Sequence, residues 1–139
     1  MRRPRTGNEV VDALLATAHH LRTDANERLR ALGLTLARFK VLELLEKDRL
    51  RMREVSDALG VVPRTLTSTV DGLEAEGLVT REEDAEDRRA TRLRLTERGL
   101  RRLGEARGLL EAAHRARTAR LSAPERAQLL QLLARLTEG

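Results

Sequence analysis

Residues 52–99 read MREVSDALGVVPRTLTSTVDGLEAEGLVTREEDAEDRRATRLRLTERG, and the order of their parts decides the fold. Arg53 to Leu59 is a short amphipathic helix with Val55, Ala58 and Leu59 inward, and Gly60 permits the left-handed backbone of a tight turn. Pro63 suits the first turn of the next helix, where Leu66, Val70 and Leu73 recur on one face until Gly77 ends it. Two short alternating segments follow, Leu78 to Arg81 and Thr91 to Leu95, around a tip rich in Asp, Glu and Arg. Helix, turn, helix and hairpin make a winged helix, which points to double-stranded DNA.

The exposed side chains of this stretch are suited to that ligand. Arg64, at the start of the second helix, is a candidate for guanine recognition, and Thr65, Thr67 and Ser68 beside it can hydrogen-bond phosphates and base edges. The plainer reading of the hydroxyls is tolerance of short side chains at a helix start. Arg88 and Arg89 stand at the hairpin tip, as DNA contacts or as a surface ion-pair cluster with Asp84, Glu86 and Asp87. Arg53 and Arg38 are weaker phosphate candidates, since each flanks its helix.

Composition narrows the alternatives. The chain has 139 residues, one domain's length, and a formal net charge of +5. Its basicity rests on Arg, with Lys only at 40 and 47; this favours a polyanionic partner, although codon bias also replaces Lys by Arg, so position has to carry the argument. Phe39 is the sole aromatic, which leaves Leu, Val and Ala to pack stacked helices with at most a small sheet. No Cys is present, so disulfides, thiolate metal sites and thiol chemistry are excluded for this chain. The opening MRRPRTGNEV is basic without a following apolar run, which predicts neither a signal peptide nor a spanning helix, no membrane partner and a cytoplasmic location.

The flanks are helical. Val10, Val11, Leu14, Leu15, Ala18, Leu21, Ala25, Leu29 and Leu32 form one stripe closed by Gly33, and Thr35 caps a second helix that buries Leu36, Phe39, Leu42, Leu44 and Leu45. Thr96 caps a helix reaching about Arg117, and Ser122 with Glu125 makes a capping box ahead of Leu129, Leu130, Leu132, Leu133 and Leu136. That last face is wide for a terminal helix on a small monomer. A helical dimer interface built from both chain ends satisfies it most simply. The expectation is a mainly α winged helix-turn-helix with a small β-hairpin wing: residues 1–34 and 100–139 for dimerisation, and 35–99 for DNA.

LTLARFKVLELLEK, MREVSDALGVVPRTLTSTVDGLEAEGLVTR and EDAEDRRATRLRLTERG, in this order and spacing, resemble MarR-type transcriptional regulators over nearly the whole chain. The Asp-Arg-Arg tip ahead of an alternating strand and LTxxG is the most specific part. The resemblance implies a homodimeric repressor or activator on an inverted-repeat operator, with Arg64, Thr65, Thr67 and Ser68 at the major groove. It puts Arg88 and Arg89 on the wing, Arg89 in the minor groove, with Asp87 shaping the tip and Asp71 pairing with the wing arginine. It also implies a small-molecule effector, often an aromatic acid, between dimerisation helices and DNA lobe. Where members of the family often carry a basic residue, this chain has Ser68 and Gly72.

Competing classes are weaker. His19, His20 and His114 have no Cys or carboxylate spacing to complete a metal site, and adjacent histidines on a helix diverge. No nucleophile triad, phosphate loop or cofactor motif is present, so neither an enzyme nor a cofactor is expected. An architectural DNA-binding protein without effector and a helical protein-interaction module stay open as alternatives.

Overall fold

The computed structural model describes residues 7–138, so Met1 to Thr6, which open the expected first region, and Gly139 lie outside it. Within it are α1 (Glu9–Arg30), α2 (Leu36–Leu45), β1 (Leu50–Arg51), α3 (Met52–Leu59), α4 (Pro63–Ala75), β2 (Val79–Glu83), β3 (Thr91–Leu95), α5 (Glu97–Thr118) and α6 (Ala123–Thr137). The fold class expected from the sequence, a mainly helical winged helix, is what the elements form.

Local chemistry sets the boundaries. Asn8 accepts from the Val10 and Val11 amides to start α1, and Thr35 accepts from the Arg38 amide to start α2. Thr96 joins two elements, because its Oγ1 accepts from the Gly99 amide at the start of α5 and donates to the Gly77 carbonyl at 2.7 Å. Ser122 and Glu125 form the expected reciprocal box.

The sheet runs β1-β3-β2, antiparallel throughout, with Leu50 opposite Leu93, Val79 opposite Leu95 and Glu83 opposite Thr91. Two features depart from the sequence reading. A third strand, β1, lies on the outer edge, and β2 begins one residue later and runs two residues further than expected. The extension is held across the ladder by Glu82, which pairs with Arg94 at 2.7 Å and with Arg49 at 3.3 Å.

The core sits in the lobe. Leu42, Val55, Leu66, Val70, Leu73, Leu78, Val79 and Leu93 are buried together, and the lobe borrows Ala25 and Leu29 from α1 and Leu103, Ala106 and Leu110 from α5. One ion pair reinforces that borrowing, because Arg107 of α5 forks onto both oxygens of Glu46 at the end of α2, and another, Arg117 to Asp24, joins α5 to α1. Ala58, expected inward, is exposed, and Ser56 is buried in its place. Its hydroxyl donates to the Val61 carbonyl across the inter-helix turn, which meets its bonding requirement inside.

Candidate nucleic-acid interface

The helix-turn-helix is closed by backbone chemistry. Gly60 adopts φ of 65°, where a side chain would strain, and the Val61 amide returns to the Ser56 carbonyl at 3.1 Å. Leu66, Val70 and Leu73 then anchor α4, which leaves Arg64, Thr65, Thr67, Ser68 and Asp71 exposed on its outer side. Four of those five are the α4 residues singled out from the sequence as DNA contacts. Their hydroxyls differ. Thr67 Oγ1 donates to the Pro63 carbonyl at 2.9 Å, which leaves it only acceptor capacity toward a ligand, whereas Thr65 and Ser68 side chains have no hydrogen-bond partner among the described residues.

The wing is β2, β3 and the tip between them. Asp87 Oδ1 accepts from the Arg89 amide at 3.0 Å and the Asp87 carbonyl accepts from Ala90, so Asp87 shapes the turn and Arg88 and Arg89 are displayed at its crown. The deeper support is Asp84, which the sequence reading placed only in a surface ion-pair cluster with Arg88 and Arg89 and which instead pairs with Arg51 and Arg92. Its side chain is 1% exposed, and it accepts from the Glu86 amide, from Arg92 Nε at 3.1 Å and from Arg51 Nε. The Glu86 amide and then the Arg51 guanidinium hold the carboxyl down to about 2 against the opposing effect of burial. Since Arg51 precedes α3, Asp84 ties the wing to the start of the helix-turn-helix. An Asx-type turn at EDAED was the one sequence signal for it.

Asp71 reaches the wing at a different point from the one expected. Its partner is Arg81 on β2, not a tip arginine, and Arg81 also donates to Glu74 Oε1 at 2.7 Å. Arg81 is the middle residue of β2, so α4 grips the strand and not the tip.

These pairings divide the arginines. Arg49, Arg51, Arg81, Arg92 and Arg94 are committed to carboxylates within the lobe. Arg53, Arg64, Arg88 and Arg89 are exposed and have no carboxylate partner among the described residues. Beneath α1 a cavity of about 730 Å³ has an apolar wall including Leu36, Val41 and Leu66, with Arg22, Arg30 and Lys40 among its lining residues. Among the described residues no group of three or more His, Cys, Asp or Glu converges, and no helix is long and apolar enough to cross a membrane.

The sequence model of the MarR family matches residues 32–90. Among solved structures the chain is similar to the transcriptional repressor CouR bound to a 23-mer DNA duplex, at 29% identity over 99% of this chain and 100% of that one, TM-score 0.82. It is similar to a mutant MarR from E. coli complexed with operator DNA, at 26% identity over 97% and 100%, TM-score 0.83. A MarR family transcriptional regulator from Rhodococcus sp. RHA1 matches at 25% identity over 94% of each chain, TM-score 0.80.

Proposed function

We propose that the chain, whose residues 32–90 match the model of the MarR family, is a DNA-binding transcriptional regulator of that family and acts as a homodimeric, cytoplasmic repressor of an inverted-repeat operator. In this reading α4 enters the major groove, where Arg64 reads guanine and Thr65, Thr67 and Ser68 line the contact. Arg89 enters the minor groove from the wing, Arg88 and Arg53 meet phosphates, and Asp71 and Asp87 hold the geometry.

The observation that carries the reading is the division of the arginines. A guanidinium with no carboxylate partner keeps its five donors for phosphate or base edges, and four such groups lie on α3, the start of α4 and the wing tip. Dimerisation is supported by the chain ends. No residue of α6 is buried, Leu130 is 69% exposed, and Val10, Val11 and Leu15 of α1 are exposed too. On that basis α1, α5 and α6, within the expected regions 1–34 and 100–139, form the dimer region, and 35–99 the DNA lobe. The cavity is the proposed effector site; an apolar wall with Arg22, Arg30 and Lys40 suits an apolar acid.

Selection of the full-length protein against random duplexes tests the assignment. Two recognition helices related by a two-fold axis select half-sites about 10 bp apart, with affinity falling steeply as salt rises. A selected site without dyad symmetry, or salt-indifferent binding, rejects the reading.

A further inference from the structure

Arg38, outside α3, α4 and the wing, lies half-buried along the side of α4 that carries Arg64 and Ser68, and its proposed role rests on the docking just described. Arg38 is in the first turn of α2. Its side chain crosses to α4, with Nη1 donating to the Gly33 carbonyl at 3.3 Å. The guanidinium lies against the backbone at Gly72: a Cβ built there would be 2.7 Å from Arg38 Cζ and 3.1 Å from Nε, with Nη2 nearer still. Glycine at 72 is therefore the seat of this group. No carboxylate pairs with Arg38 among the described residues, and the Gly33 carbonyl occupies one donor of five.

The position of the seat defines the ligand. Gly72 follows Ser68 by one helical turn and Arg64 by two, so the guanidinium continues the Arg64–Ser68 stripe about 12 Å along the helix from Arg64. The major groove is itself about 12 Å wide. With Arg64 at the base edges, a cation that far along and flat against the helix meets the sugar-phosphate wall, and it cannot project to a base. We infer that Arg38 is a phosphate ligand, delivered from α2 to the third turn of α4 across Gly72, where α4 carries no cation of its own.

The test uses the full-length dimer and two duplexes, the selected operator and one of mixed sequence, titrated over a series of KCl concentrations. Arg38→Ala should weaken both by the same factor, about 5- to 20-fold, and flatten the logarithmic salt slope by about 0.9. Gly72→Ala should displace the flexible guanidinium and reproduce that loss, yet add nothing in the Arg38→Ala background. Arg38→Lys should keep the salt slope while losing part of the affinity.

A group that only pins α2 to α4 would lower the melting temperature and leave the salt slope intact; that result, or unchanged binding by Arg38→Ala, overturns the inference. Arg64→Ala and Arg89→Ala run alongside separate the two readings. If they weaken binding and Arg38→Ala does not, this inference alone fails, whereas wild-type binding by all three removes the docking itself.

Discussion

The winged-helix lobe and the chain ends are built from the same leucine-rich material and reach opposite outcomes. In the lobe Leu42, Leu66, Leu73, Leu78 and Leu93 are almost fully buried, and the arginines of the three strands are locked to carboxylates while Arg53, Arg64, Arg88 and Arg89 have no carboxylate partner among the described residues. On α6 five leucines stay exposed, and α1 buries only Ala25 and Leu29 near its lobe end. The difference separates two jobs for an apolar residue: completing a core within one chain and, in the proposed dimer, packing against a second chain. It also means that damage at the two regions should be read by different instruments.

The largest expected effect breaks the comparison from the terminal side. Removing residues from Ser122 onward takes away all five exposed leucines of α6 and should give a monomer or an insoluble chain, with operator affinity lowered at least roughly 100-fold because two half-sites no longer bind as one unit. Sedimentation of the intact protein as a monomer at micromolar concentration, or full binding by the truncated chain, contradicts this.

Next comes the core. Leu73→Ala, at a fully buried position, should cost about 2–5 kcal/mol in urea unfolding, whereas Leu130→Ala should change the unfolding of a monomeric variant by less than about 0.5 kcal/mol and act on dimer dissociation instead. Equal effects of the two on one observable would erase the distinction between the regions.

Within the DNA face a finer contrast separates reading from positioning. Arg64→Ala should cost about 1–3 kcal/mol on the operator, relax preference at one base pair of each half-site, and leave scrambled DNA nearly untouched. Arg89→Ala should weaken all duplexes by a similar factor and flatten the salt slope by about one counterion, since the minor groove offers a degenerate pattern. Equal loss on both duplexes for Arg64→Ala means that α4 is not the reader.

How much of this was legible beforehand follows from the range of each interaction. Caps and stripes are local, so Thr35, Thr96 and the Ser122–Glu125 box mark helix starts in the sequence as they do in the structure. β1 spans two residues, too few to show a period of two, and it exists because Leu50 and Arg51 meet Leu93 and Arg92 some forty positions away. Ala58 looked inward because its size and polarity fit a core. Ser56 displaced it because the turn offers its hydroxyl an acceptor, and a periodicity argument carries no information about acceptors. The Asp71–Arg81 pair and the seating of Arg38 on Gly72 depend on where elements cross, so residue types alone could name the participants but not the pairs. The exposed stripe on α6 was readable as unfinished, and in the proposed dimer its second half lies on another chain.

The smallest effect concerns the wing's anchor and acts only in acid. Asp84 is held to about 2, below the ordinary carboxylate value near 3.8, by the Glu86 amide and the Arg51 and Arg92 guanidinium groups. A carboxyl whose folded value is depressed contributes stability that is complete above its unfolded value and disappears as pH falls through the folded one. The contribution of Asp84 is therefore constant from pH 5 upward and drains away between about pH 4 and pH 2. Asp84→Asn should accordingly lower the melting temperature at pH 7 and show a smaller further fall between pH 5 and pH 2.5 than the wild type does. Some acid sensitivity persists in the variant, because Asp24, Glu46 and Glu125 are also held low by their hydrogen-bond donors. At pH 7 the same substitution should weaken binding to operator and scrambled duplexes alike, since a loosened wing misplaces Arg88 and Arg89 without touching the readout by Arg64. Melting curves at three pH values with parallel binding curves decide it. Identical pH dependence of the two proteins would show that the wing is held by its backbone ladder alone, and a loss confined to the operator would move Asp84 from the wing's support to base recognition.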